Sequence, residues 1–266
     1  MRKKWFLWGA ALCCFWLLGG CALVKEKKQD YGVFIGGDGS RLKEMAACSR
    51  VVLDAENFTK EEIQRLESQG CQVFSYVNIG SLENFREDYQ EFAHLKIADY
   101  EGWEEEVWVD VTDPAWQKRV ENWTKRCIKK GVSGIFVDNL DVYDAAPSQE
   151  TYQALLVILQ KMNQKAGEVM VNGGKSFLIE AMRRGESIPA LCQGVNQESV
   201  FYTGEGIPQP KEETREYLEY LKKLQETGVK VYLIEYVHSA AAKNRVEKEG
   251  KKRKFTVFST GDIELR

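Results

Sequence analysis

From Tyr31 to the end of the chain, short apolar runs alternate with amphipathic segments. The apolar runs fall at 32–35, 50–54, 72–78, 134–138, 168–172, 194–198, 229–235 and 255–259. Their near-continuous Val, Ile, Leu and Phe content suits strands covered on both faces, as in a parallel sheet. Between them the apolar positions take a helical period. Residues 59–69 open with the capping-box pair Thr59 and Glu62 and place Ile63 and Leu66 on one face. Asp113 and Pro114 supply a cap and a first-turn proline; Trp116, Val120, Trp123 and Cys127 follow at steps of four, three and four, and Gly131 ends the helix. Tyr217, Leu221 and Leu224 repeat this pattern before Gly228. With no Pro/Ser-rich linker and no internal repeat, eight strands alternating with helices predict one α/β domain. A (β/α)8 TIM barrel over residues 31–266 is preferred to an open doubly wound sheet.

One connection is longer than the rest, from Asn78 on the third strand to Gly134 before the fourth, and at least two helices are expected in it. Between them lies the stretch 100–110, Tyr-Glu-Gly-Trp-Glu-Glu-Glu-Val-Trp-Val-Asp. Long excursions of this kind often build functional walls. Trp103 and Trp108 therefore have two open readings, as packing of the excursion onto the barrel or as platforms for sugar rings.

The N-terminus has a different pattern. Arg2, Lys3 and Lys4 precede the uncharged stretch 5–24, and polar sequence begins at Lys25. A basic start followed by an apolar run is an export signal, although about twenty apolar residues could also span a bilayer. The run ends Leu18-Gly19-Gly20-Cys21, which resembles the bacterial lipobox. The preferred reading is a signal over 1–20, Cys21 as the lipidated first residue of the mature protein, and a polar linker over 21–30. A plain signal peptide and an uncleaved anchor are the alternatives.

Of the 266 residues, 37 are Lys or Arg and 40 are Asp or Glu, a net charge of −3; loss of residues 1–20 leaves 34 against 40, or −6. That balance gives no basic footprint for nucleic acid. Cys48, Cys71, Cys127 and Cys192 form no C-x-x-C pair, and the chain has only His94 and His238, so neither metal nor cofactor is expected. The four thiols read as buried apolar side chains, with a Cys48–Cys71 disulfide as the alternative. The segment 243–254, with seven positive and two negative residues, reads as a solvated approach to the last strand; a membrane-surface contact is the sharper alternative.

The active site of a barrel lies at the C-terminal ends of its strands. Here those ends are acidic and amidic: Asp54; Tyr76 and Asn78; Asp138, Asn139 and Asp141; Asn172; Asn196 and Glu198; Glu235 and Tyr236. There is no G-x-S-x-G elbow and no complete G-x-x-x-x-G-K-[ST] loop, since Gly174-Lys175-Ser176 has Val169 where the first glycine would stand, and Gly37-x-Gly39 lacks the third glycine of a dinucleotide loop. Converging carboxylates without a nucleophilic Ser or Cys suit glycoside hydrolysis, which uses one carboxyl as acid and a second as nucleophile or base.

Several motifs carry a family resemblance. They are Tyr76-Val-Asn78-Ile-Gly80-Ser-x-Glu83-x-x-Arg86, Trp108-Val-Asp110-Val, Gly134-Ile-Phe-Val-Asp138-Asn139-x-Asp141-x-Tyr143, Val171-Asn172-Gly173-Gly174 and Asn196-Gln-Glu198-Ser. Together they resemble the endo-α-1,4-polygalactosaminidase family of glycoside hydrolases, a TIM-barrel group with spherulin-4-like relatives. The resemblance implies hydrolysis of polymers rich in α-1,4-linked galactosamine, such as partly deacetylated biofilm exopolysaccharides, and matches Asp138 and Glu198 to the catalytic carboxylates. Analogy with other α-glycoside barrels would make Asp138 the nucleophile and Glu198 the acid/base, the latter kept protonated by burial or by the charge of Asp138. Substrate contacts are expected from Asp54, Tyr76, Asn78, Trp108, Asp110, Asn139, Asp141, Asn172, Glu235 and Tyr236. Among these, Asp54, Asp141 and Glu235 would either attract a cationic amino sugar or support the catalytic pair. The expected partners are the polysaccharide and, through the lipid anchor, the membrane, with the protein acting as a monomer. A carbohydrate-binding lipoprotein without turnover and a glycosidase for a different α-linked glycan are the alternative functions.

Overall fold

Every apolar run becomes a strand within one residue of its expected ends. A computed structural model describes residues 28–265, with β1 (Gly32–Phe34), β2 (Arg50–Leu53), β3 (Gln72–Asn78), β4 (Ser81–Glu83), β5 (Lys96–Asp99), β6 (Glu106–Val109), β7 (Gly134–Asp138), β8 (Val169–Asn172), β9 (Gly194–Glu198), β10 (Lys230–Tyr236) and β11 (Thr256–Thr260). Eight of these form one sheet in the order β1-β2-β3-β7-β8-β9-β10-β11, with each neighbouring pair parallel. The sheet curls until its two edges meet. Phe34 and Phe258 approach to 6.1 Å between ring centroids across the seam, and the Gly36 N–H donates to the Leu265 carbonyl at 3.2 Å. The result is a nearly closed barrel.

The helices form where the sequence places caps. Thr59 and Glu62 make the reciprocal capping box of helix Lys60–Ser68, which buries Ile63 and Leu66. The Asp113 carboxylate accepts from the Ala115 and Trp116 N–H groups at the start of helix Pro114–Lys130, and Gly131 closes it in the left-handed region. Trp116, Val120, Trp123 and Cys127 all turn inward. The Trp116 indole also donates to the Ile79 carbonyl at 2.8 Å, tying this helix to the exit of β3.

The long excursion holds two helices on either side of 100–110, Tyr89–Phe92 and Pro114–Lys130, as expected, and adds a three-stranded antiparallel sheet in the order β4-β6-β5 that was not expected. Its strands are three or four residues long and β5 is largely exposed. Gly80 is required where the chain leaves the barrel, because a Cβ there would lie 1.8 Å from the Asn139 carbonyl oxygen. The excursion is thus pressed against the exit of β7.

The expected signal, with Cys21 and most of the linker, lies outside the described residues. Among the described residues no helix is long and apolar enough to cross a membrane. Cys48, Cys71, Cys127 and Cys192 are free and buried. The basic segment lies mainly in helix Ala240–Arg253, which buries Val246 and Gly250 and exposes most of its charged side chains.

Candidate active site

Parallel pairing brings three strand ends to one level. Asn78 on β3 pairs with Asp138 on β7, Asn172 on β8 with Asn196 on β9, and Ile234 on β10 with Glu198 on β9. Asp138 and Glu198 therefore flank Asn172. The Asn172 amide nitrogen donates to Asp138 Oδ1 at 2.9 Å and to Glu198 Oε1 at 2.8 Å. Two acceptors sharing one NH2 group whose N–H bonds diverge at about 120° lie about 5 Å apart. The Tyr236 hydroxyl donates to Glu198 Oε2.

Burial, followed by the negative charge of Glu198, pushes the Asp138 carboxyl up to about 8; the Asn172 amide opposes the shift. Burial and Glu198 also hold the Tyr236 phenol in its protonated form. These groups form the floor of a groove of about 1100 Å³, whose walls include Tyr76, Tyr100, Trp103, Glu106 and Asp141. A volume near the top of the usual range for ligand pockets, about 300 to 1,000 Å³, has room for more than one sugar residue.

The carboxylates around the groove differ in their partners. Asp54 accepts from Arg86 at 2.7 Å, and Glu83 accepts from the same guanidinium at 2.6 and 3.0 Å. Arg86 lies 4.6 Å from the centre of the Trp123 ring. Asp54 lines the groove with its charge paired to Arg86, an arrangement closer to the supporting reading than to the sugar-attracting one. Asp141 accepts from the Gly174 N–H at 3.0 Å, and burial raises its pKa. A Cβ on Gly173 would lie 2.6 Å from the same carboxylate oxygen, and φ at Gly173 is positive, which gives the Asn-Gly-Gly turn a steric reason. Glu106 was not expected at the site. One of its oxygens accepts from Ser81 Oγ, Asn78 Nδ2 and Asn139 Nδ2, burial raises its pKa, and among the described residues it has no cationic partner.

Four of the expected substrate contacts are placed elsewhere. Asn78 is fully buried and shapes the turn into the excursion, accepting from the Gly80 and Ser81 N–H groups. Asp110 closes its own turn by accepting from the Thr112 N–H and hydroxyl. Trp108 stacks on Tyr100 at 4.0 Å, so Tyr100 lines the groove and Trp108 backs it. Glu235 is fully buried and accepts from the N–H groups of Val200, Phe201 and Tyr202, so it staples the loop that follows Glu198. In each case a near backbone or ring partner takes the group that was expected to meet substrate.

Tyr76, Asn139, Asn172 and Tyr236 do line the groove. Asn139 takes φ of +64° and accepts from the Tyr100 hydroxyl at 3.1 Å, linking the excursion to the end of β7. Glu83, Arg86, Tyr100 and Glu106 are the groove residues that sequence reasoning left out. The motif holding Glu83 and Arg86 was visible, but the ion pair from Arg86 to Asp54 joins elements 32 residues apart.

The same fold occurs in known glycoside hydrolases. The barrel aligns with the glycoside hydrolase domain of PelA from Pseudomonas aeruginosa at a TM-score of 0.76 and 17% identity, covering 89% of this chain and 96% of that one. It aligns with Aspergillus fumigatus Ega3, in a complex with galactosamine, at a TM-score of 0.69 and 16% identity, covering 90% and 92%. An uncharacterised protein of Thermotoga maritima is 26% identical over 199 residues, 69% of this chain. The chain spans about three fifths of the length of the curated relatives it matches. The profile of glycoside-hydrolase family GH114 matches residues 23–264, and by that match the chain belongs to this family.

Proposed function

We propose that this protein hydrolyses α-1,4-linked galactosamine-containing polysaccharide by double displacement, with Asp138 as nucleophile and Glu198 as acid/base. The observation that carries the reading is the Asn172 fork: one oxygen of each carboxyl accepts from the same NH2 group, which holds those two oxygens less than about 6 Å apart, short of the roughly 6.5 Å or more that inverting enzymes use. Asp138 attacks the anomeric carbon as Glu198 protonates the departing glycosidic oxygen. Glu198 then deprotonates a water that displaces Asp138 from the sugar.

Charge supports the amino sugar. Near neutral pH, Asp138 holds a proton. An ammonium group bound beside it favours the charged, nucleophilic form. Glu106 and Asp141 add carboxylates without cationic partners to the same groove. The Ega3 neighbour is itself a complex with galactosamine.

Both Asp138→Asn and Glu198→Gln should reduce turnover of galactosamine oligomers by about a thousandfold or more while leaving the circular dichroism spectrum unchanged. Near wild-type turnover in either variant would remove that residue from the mechanism. Azide tests the roles: with Asp138→Ala it should give a glycosyl azide of inverted configuration, and with Glu198→Ala one of retained configuration. The opposite pattern would exchange the two roles.

The basic start, the apolar stretch 5–24 and Cys21 support export and tethering by lipid. Metabolic labelling with a radioactive fatty acid should mark the full chain but not Cys21→Ser; equal labelling of both would reject Cys21 as the anchor.

A further inference from the structure

Asn172 can hold Asp138 and Glu198 in this way in only one of its two amide orientations. Flipped, its oxygen would face two carboxylates and its NH2 would face another amide NH2 group. The structure supplies a cause for the orientation beneath the groove. Asn172 Oδ1 accepts from Asn196 Nδ2 at 2.6 Å. That contact turns Asn196 Oδ1 toward Tyr31, whose hydroxyl donates to it at 3.3 Å. Asn196 and Tyr31 have no exposed surface, and neither lines the groove.

The order of donors favours one direction for the whole series. A phenol hydroxyl has one hydrogen to give, and an amide presents an oxygen on one side and an NH2 on the other. The hydroxyl's second neighbour is the thioether of Met170, at 3.8 Å, a weaker acceptor than the Asn196 amide oxygen. The Tyr31 ring is held between Tyr232 and Phe258, at 5.0 and 6.4 Å between centroids. Tyr31 is thus a rigid donor at one end, and the two catalytic carboxylates are acceptors at the other.

We infer that Tyr31 and Asn196 are positioning residues that lock the Asn172 amide and thereby set the separation of Asp138 and Glu198. The inference rests on the reading of those two carboxylates as the catalytic pair. Neither positioning residue touches substrate, so each should act on kcat and leave KM alone.

The test measures kcat and KM against pH on α-1,4-galactosamine oligomers for wild type, Tyr31→Phe, Asn196→Asp, Asp138→Asn and Glu198→Gln. Tyr31→Phe removes only the terminal donor and should lower kcat about tenfold, with KM within about twofold of wild type. Asn196→Asp puts an acceptor where Asn172 needs a donor, and a loss of about a hundredfold or more is expected. Because the Asn172 amide favours the charged carboxylates, loosening it should move the acid limb of the Tyr31→Phe profile to higher pH. A purely structural role would lower thermal stability without moving that limb. If Asp138→Asn and Glu198→Gln are inactive while Tyr31→Phe keeps the wild-type kcat and pH profile, the positioning role is wrong and the catalytic pair stands. If the two carboxylate variants stay active, the pair and the positioning role both fall. Tyr31→Phe differs from wild type by one hydroxyl, so it decides the matter even if Asn196→Asp does not fold.

Discussion

Asp138 carries a cost that follows from its position. Its carboxyl is held at about 8 in the fold, mainly by burial and then by Glu198, whereas a free aspartate releases its proton near pH 4. Between those values the unfolded chain binds fewer protons than the folded one, so raising the pH favours unfolding. The penalty begins near pH 4 and is complete above about pH 8. Asp138→Asn should therefore be more stable than wild type by on the order of 5 kcal/mol at pH 8 and close to equal to it at pH 4, as read by urea unfolding. A difference that does not vary with pH would show that the carboxyl is not held in its acid form. The placement of Asp138 and Glu198 was legible in the sequence as acids at the ends of barrel strands, and both line the groove. Glu106 was not, because it sits in an exposed-looking acidic stretch and becomes a groove residue only when Ser81, Asn78 and Asn139 converge on it. The pairing of Asp54 was equally hidden, since Arg86 reaches it from another element.

The barrel strands and the capped helices follow directly from pattern and turn chemistry. The small sheet of the excursion does not, because β4, β5 and β6 are only three or four residues long and β4 and β5 mix polar with apolar residues. Glu235 shows how element context reverses a reading. As an acid at the end of the seventh barrel strand it has the sequence position of a substrate contact. The loop after β9 instead turns back at Ser199, with φ of +57°, and aims three N–H groups at the carboxylate. Burial outweighs those three donors and raises the Glu235 pKa to about 8. The group fixes the segment directly beyond Glu198, so its effect on catalysis passes through the loop.

In the whole molecule, the barrel floor supplies Asp138 and Glu198, the pair proposed as catalytic, and the excursion supplies one wall of the groove. Tyr100 joins the two through Asn139, and the closeness of Gly80 to that residue leaves no space between them. The net charge of the chain, weakly acidic when summed, gains meaning from placement. Arg86 pairs with two groove carboxylates, Asp54 and Glu83, while Asp138, Glu198, Glu106 and Asp141 line the groove without a salt bridge among the described residues. This arrangement is matched to a positively charged sugar, and cleavage of such a sugar is the central claim. The most direct test is mass spectrometry of products after incubating the wild-type protein with deacetylated α-1,4-galactosamine oligomers, alongside acetylated and neutral oligomers of equal length. Shorter galactosamine oligomers, formed fastest from the deacetylated substrate and absent with Glu198→Gln, are the expected result. Intact galactosamine oligomers, with cleavage of a neutral glycan in their place, would contradict it.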